Sequence, residues 1–328
     1  MWAVGEGISE HSTAPYEKGE EMRVGVIDVD GHNYPNLPLM KLSAWHKSVG
    51  DTVEWYEPIM GHFDRVYMSK VFSFTPDYEW CIDADEIIKG GSGYCIVTEN
   101  GKEKYLQEND KPLPPEIEHI YPDYGLYGIT DTAYGYLSRG CPRGCDFCHV
   151  AAKEGRRAYK VADLAEWWHG QKNIVLMDPN ILACPQWEDL LGQLADSKAW
   201  VDVNQGMDIR LMDDARISAI TKLKTKVIHF AWDRYEDGDI IKPRFKAFKE
   251  ASGIDYRKLI VYVLCAFNTT IEQDLERLYW LRDAGYTPFV MLYDKQHLPK
   301  TDPRRRMANW CNKHQAFRAC ARFEEFAG

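Results

Sequence analysis

The sequence predicts an α/β protein in two units, a small open-sheet domain followed by a partial parallel barrel of (β/α)6 type. Three observations carry this. Apolar runs fit for buried parallel strands alternate with segments of helical periodicity. Between residues 133 and 295 that alternation repeats about six times, enough for a partial barrel. Polar clusters recur just after the strand runs, where the active residues of parallel barrels sit.

The first unit opens with MRVGVIDV (22–29), an unbroken apolar run suited to a strand covered on both faces. After the turn-rich DGHNYPN, Leu39, Leu42 and Trp45 recur at helical spacing, and Gly50 stops the helix. Strands are expected at TVEWY, DRVYMSKVF (64–72) and ADEIIKGGSGY (84–94), the last ending in a glycine turn. The unit spans 22–105 and resembles a Rossmann-like or flavodoxin-like sheet. The segment 106–132 is rich in Pro, Tyr and charge and reads as a linker or crossing strap. In the second unit, strands at 133–139, 173–178, 200–205, 226–233, 258–267 and 287–294 alternate with helices at 161–170, 186–197, 213–223, 241–252 and 270–285. The tail, 296–328, is basic and helical, and is expected to cap the barrel mouth. Residues 1–21 read as a polar leader, expected to be disordered; they lack the basic stretch and apolar core of a secretory signal.

Composition narrows the function class. No apolar run reaches the roughly 18 residues of a membrane span, so no membrane partner is expected. Nine cysteines without an export signal point to a reducing compartment, the cytoplasm, rather than to a disulfide framework. The net charge of −10 disfavours nucleic acid as a partner. The tail from Lys300 to Arg322 is the basic exception; it reads as a helix pairing with the acidic body or as a site for an anionic substrate or RNA.

Cysteine use is uneven. Cys141, Cys145 and Cys148 crowd into SRGCPRGCDFCHV, while the other six are scattered. Thiolates are the usual ligands of iron–sulfur clusters, and a cubane normally takes four. Three on one tight loop leave one iron open to a small molecule. Gly140, Pro142 and Gly144 suit a loop that wraps closely around such a group. Zinc held by these thiols with His149 is the competing reading, although structural zinc sites usually pair two knuckles and no second knuckle is present.

The Cys-x3-Cys-x2-Cys spacing, Phe147 before the last cysteine and the strand–helix alternation that follows resemble the radical S-adenosylmethionine (SAM) superfamily over residues 130–295. The resemblance implies a TIM-like partial barrel. It implies a [4Fe–4S] cluster on Cys141, Cys145 and Cys148 that binds SAM and cleaves it reductively to a 5′-deoxyadenosyl radical. That radical abstracts hydrogen from a substrate the sequence does not identify, and the electron comes from a donor such as a flavodoxin or ferredoxin. By the same resemblance Asp178 and Asn180 receive the SAM amino group, although MDPNIL departs from the family's Gly-Gly-Glu and also reads as a plain turn. Asn204, Gln205 and Asp208 are candidates for the ribose hydroxyls, Arg210 for the methionine carboxylate and Phe147 for adenine. Cys265 and Cys184 are candidate hydrogen donors, with core packing as the plainer reading.

The first unit also resembles the cobalamin-binding (B12-binding) domain that precedes some radical SAM barrels. Asp30 and His32 follow the first strand, Ser69 ends a later one, and Gly90-Gly91 follow the next, with Pro35 where the family motif carries glycine. That likeness implies a possible cobalamin site and, with it, methyl transfer. A non-catalytic, metal-stabilised RNA-binding module is the reading from another class.

Overall fold

The fold is taken from a computed structural model that describes residues 21–99 and 102–327. The expected leader therefore lies almost entirely outside the described residues.

The protein is mixed α/β and built on parallel sheets. In the first unit β1 (Arg23–Asp28), β2 (Thr52–Trp55), β3 (Phe63–Ser69) and β4 (Ala84–Gly90) form one parallel sheet in the order β2-β1-β3-β4. Helix α1 (Leu37–Val49) forms the first crossover. The Asn36 side chain accepts from the Leu39 N–H at its start, and Gly50 closes it in the left-handed conformation. Leu39 and Leu42 pack on Val24, Val26 and Tyr67, while Ile27, Phe63, Val66 and Met68 fill the other face. This is why β1 reads as an unbroken apolar run.

A one-turn helix α2 (Ser92–Cys95) and a hairpin, β5 (Ile96–Glu99) with β6 (Lys102–Tyr105), follow. The strap 106–132 contains the short α3 (Pro115–Glu118) and is more than a linker. It buries Ile117 in the first core and Tyr124 in the second, and its Tyr127 hydroxyl donates to Asp28 at 2.6 Å.

In the second unit β7 (Thr132–Gly135) pairs in parallel with β10 (Asn173–Leu176), which pairs with β11 (Trp200–Val203). Strands β12 (Ile228–Trp232), β13 (Leu259–Cys265) and β14 (Thr287–Leu292) form a second parallel sheet. A single parallel bridge, Met207 with Phe230, joins the two sheets. Between β7 and β10 the short strands β8 (Ser138–Arg139) and β9 (Tyr159–Lys160) form an antiparallel clasp around a loop that holds α4 (Val150–Glu154). Helices α5 (Trp187–Asp196), α6 (Asp214–Thr221), α7 (Gly238–Ser252) and α8 (Ile271–Asp283) connect the later strands. Alternate strand residues, such as Val261, Val263 and Cys265, are fully buried, while the intervening Tyr262 and Leu264 are only half-buried.

Two expectations are corrected. The 133–139 strand is broken after Gly135, because the Leu137 and Ser138 N–H groups bond the Asp178 carboxylate rather than a neighbouring strand. The helix expected at 161–170 is a single 3-10 turn, Leu164–Glu166. Trp167 ends it: its ring packs where a Cβ on Gly135 would sit, and its carbonyl accepts from the Tyr124 hydroxyl at 2.7 Å. The C-terminal segment is helical as expected, in α9 (Pro303–Asn312) and α10 (His314–Ala319), and α9 lies along β14. The Asn312 amide donates to the Val290 carbonyl and its oxygen accepts from the Val290 N–H. Among the described residues no helix is long and apolar enough to cross a membrane.

The carboxyl ends of β12 and β13 are tied by one buried cation. Arg277 on α8 has no exposed surface. It donates to the carbonyls of Trp232 (2.9 Å), Asp233 (3.2 Å) and Leu264 (2.8 Å) and pairs with the equally buried Asp274 at 2.6 Å. Arg304 of α9 completes the network on Asp274. Removing one partner of a buried pair leaves an uncompensated charge, so Arg277→Ala is expected to destabilise the protein by about 3–5 kcal/mol. Urea denaturation checks this, and a loss well under 1 kcal/mol would contradict it.

Candidate active site

The cysteine loop springs from the carboxyl end of β7 and is fastened at its base. Asp178, just after β10, is completely buried. Its Oδ1 accepts from the Leu137 N–H at 2.8 Å, and its Oδ2 accepts from the Ser138 N–H at 2.7 Å and from the Ser138 hydroxyl. Burial pushes this carboxyl up to about 7 against the pull of those three donors. Higher in the loop, Glu154 accepts from the Gly140 N–H at 2.9 Å and from Arg139 at 2.8 Å. The Cys141 N–H reaches the Gly155 carbonyl at 3.2 Å. Gly140 has φ 79°, and a Cβ there would lie 2.1 Å from the Arg157 carbonyl oxygen, so only glycine fits.

Cys141 and Cys145 are half-buried and Cys148 is exposed, all as free thiols. They sit within electrostatic reach of one another. Burial first, then Cys148 and Asp233, push the Cys145 thiol up to about 11. Among the described residues no three His, Cys, Asp or Glu side chains stand in a ligating arrangement.

Several expected residues meet at this loop. The Asn180 amide donates to the Cys141 sulfur at 3.6 Å and to Asp208 at 3.3 Å. Asp208 also accepts from Arg143, inside the cysteine motif, and from the Arg210 Nε at 2.7 Å. Arg210 continues to Asp237 at 3.0 Å. Burial alone would raise the Asp208 carboxyl, but Arg210 and Arg143 hold it below the usual range. Burial pushes Asp233 up to about 6, with Arg210 pulling it down. Phe147 packs edge-on to Phe267, with ring centroids 5.2 Å apart, and Phe267 in turn meets Tyr293.

Other expected residues are occupied elsewhere. Asp178 serves the base of the loop. The Asn204 amide donates to the Tyr34 hydroxyl at 3.3 Å, and Gln205 is exposed without a protein partner among the described residues. Cys184 and Cys265 are buried in the main core, where their thiols bond Gln186 and the Val263 carbonyl, which fits packing rather than hydrogen donation. His149, the alternative zinc ligand, bonds Glu103 at 3.1 Å. Sequence reasoning missed Arg143 and Asp237; a cation inside the cysteine motif and an acid one turn past a strand end were the available signals.

The residues present fit a cluster with a small chelating ligand. Three soft thiols supply three of the four ligands a cubane takes. Beside them the Asn180 Oδ1 is buried and accepts nothing from the protein, an open acceptor for an amino group. The cobalamin candidates are brought together only in part, with Ser69, Gly90 and Gly91 lining one cavity. His32 stacks on Trp55 in another. Asp30 is taken by the Val71 and Phe72 N–H groups, and the Ser69 hydroxyl accepts from Asn36 at 2.8 Å. Gly91 is needed for fold packing, since a Cβ there would lie 2.4 Å from the Lys70 carbonyl oxygen. No protein-family model matches the chain, and no curated protein matches it.

Two outcomes follow from this geometry. Asp178→Asn sets an amide N–H against backbone donors, at an expected cost of about 1–3 kcal/mol. It should lower the melting temperature and the iron retained after reconstitution, although Asp178 bonds only Leu137 and Ser138. Wild-type values for both would show that the clamp is dispensable. Because the thiolate is the reactive form, iodoacetamide alkylation of Cys145 should keep accelerating toward pH 11. A profile that levels off where free cysteine does would contradict the burial argument.

Proposed function

We propose that this protein is a radical SAM enzyme acting on a substrate yet to be identified. The observation that carries the reading is the Cys-x3-Cys-x2-Cys loop at a parallel-strand end, held against Asn180, Asp208 and Arg210. Under this reading the six parallel strands of the second unit are the wall of a partial (β/α)6 barrel, and the cysteine loop follows its first strand. A [4Fe–4S] cluster with SAM, when bound, supplies reductive cleavage to methionine and a 5′-deoxyadenosyl radical that abstracts hydrogen from substrate.

The chain's own residues have distinct tasks in this scheme. Cys141, Cys145 and Cys148 would hold the cluster through three thiolates, one fewer than a cubane normally takes. Asn180 offers its unpartnered oxygen to the amino group of SAM. Arg210, freed in part from Asp208, pairs with the methionine carboxylate. Phe147 gives adenine an apolar face. Asp178, Glu154 and Arg143 are positioning residues that fix the loop. The electron comes from a flavodoxin- or ferredoxin-like donor. Methyl transfer through cobalamin is the less favoured reading, because His32 lies in a different cavity from Ser69, Gly90 and Gly91. RNA binding through the tail is disfavoured, because Arg304 and Arg305 bond Asp274 and backbone carbonyls.

Anaerobic reconstitution with iron and sulfide should give a brown protein. Cys141→Ala, Cys145→Ala or Cys148→Ala should each abolish the colour, whereas Cys81→Ala should not. With dithionite and SAM the wild type should form 5′-deoxyadenosine, and Asn180→Ala should raise the KM for SAM by about tenfold, the worth of one or two lost hydrogen bonds to a charged group. A colourless protein that retains zinc would overturn the reading.

A further inference from the structure

The cavity that His32 lines has a chemistry of its own, unrelated to the cysteine loop. It lies outside the carboxyl ends of β1 and β2, where open parallel sheets bind ligands, and its volume is about 490 Å³. That is in the range of small-molecule sites and too small for a macromolecular segment of any length. Its walls are aromatic: His32 stacks on Trp55 at 4.0 Å, Tyr78 meets Tyr56 edge-on at 6.2 Å, and Trp80 stands 74% exposed at the mouth. Its charged groups are acidic. Glu57 and Glu79 line it without an ion-pair or hydrogen-bond partner among the described residues, and no Lys or Arg lines it. Two further acids line it: Asp77 pairs with Lys89 at 2.7 Å, and Asp28 accepts from the Tyr127 hydroxyl at 2.6 Å.

We propose that this cavity binds a small organic cation, of the methylated-ammonium class, between the aromatic faces and the two free glutamates. Ring faces carry negative potential and attract a weakly hydrated cation, most strongly at tryptophan. The glutamates supply the complementary charge, and the absence of Lys and Arg among the described lining residues disfavours anions. A hard metal ion is a poor match, since it requires six or more oxygen ligands in a tight shell, and no three acids or histidines among the described residues are so arranged. The large exposed indole of Trp80, which has no ring partner among the described residues, is what a cation-binding wall requires.

The test is calorimetric titration of the full chain with choline chloride, tetramethylammonium chloride and 3,3-dimethylbutan-1-ol, the uncharged isostere of choline, at low ionic strength. No cluster or SAM is needed, so the result is independent of the radical SAM reading. One saturable site for choline is expected, with the neutral alcohol at least about tenfold weaker. Trp80→Ala should weaken choline about tenfold, and Glu57→Gln and Glu79→Gln about threefold each, all with unchanged melting temperature. Equal binding of choline and the neutral alcohol, no saturable binding of either cation at about 20 mM, or choline affinity indifferent to both Trp80→Ala and Glu79→Gln would overturn the proposal.

Discussion

Asp178 has no exposed surface, and its carboxylate is directed at three donors of one dipeptide, Leu137-Ser138. The two backbone N–H groups among them would otherwise extend the β7 ladder. Taking them turns the chain out of the sheet immediately before the cysteines, and the β8–β9 clasp returns it to the sheet eighteen or so residues later. Everything at the candidate site depends on that turn. Glu154 then sets the approach to Cys141 from the loop's far side, and the Arg143–Asp208–Arg210 chain fixes the loop to the strand end two positions along the sheet. The site is thus a loop whose base is buried and whose tip, at Cys148, is exposed.

Much of this was legible in the sequence because it depends on periodicity and local chemistry. The strand runs at 258–267 and 287–294 and the helices at 186–197 and 270–285 fall within a few residues of the observed elements. Gly50 closes α1 as its position suggested. The unread parts are tertiary. VADLAEWWHG has helical spacing, yet Trp167 is drawn onto Gly135 and ends the turn. Nothing local marks the 133–139 break either, because the competitor for those N–H groups lies about forty residues away. At the site, Asn180, Asp208 and Arg210 were readable as polar residues after strands, and they do meet. Asp178 was readable as polar but not as buried, and the competing uses of Asn204 and Ser69 come from partners far along the chain.

The two units are knit together by the strap and not merely linked by it. Trp55 donates from its indole to the Leu126 carbonyl, Tyr127 bonds Asp28, and Tyr124 reaches the Trp167 carbonyl. One short segment therefore contacts the carboxyl ends of the first sheet and the turn that packs beneath the cysteine loop. The first unit also touches the loop directly, through Glu103 with His149 and Ser92 with Lys153. Its role toward the second unit is supported by these contacts whatever ligand it binds.

The Asn312 contact with Val290 has a consequence for self-association. β14 is the last strand of its sheet, and an unpaired strand edge is a template for the backbone of another molecule. The Asn312 carboxamide carries one donor and one acceptor and meets both backbone groups of Val290, imitating a single residue of a neighbouring strand. With Met307, Trp310 and Cys311 buried alongside, α9 acts as a terminator of the sheet, denying an incoming chain the edge along which polymerisation would start.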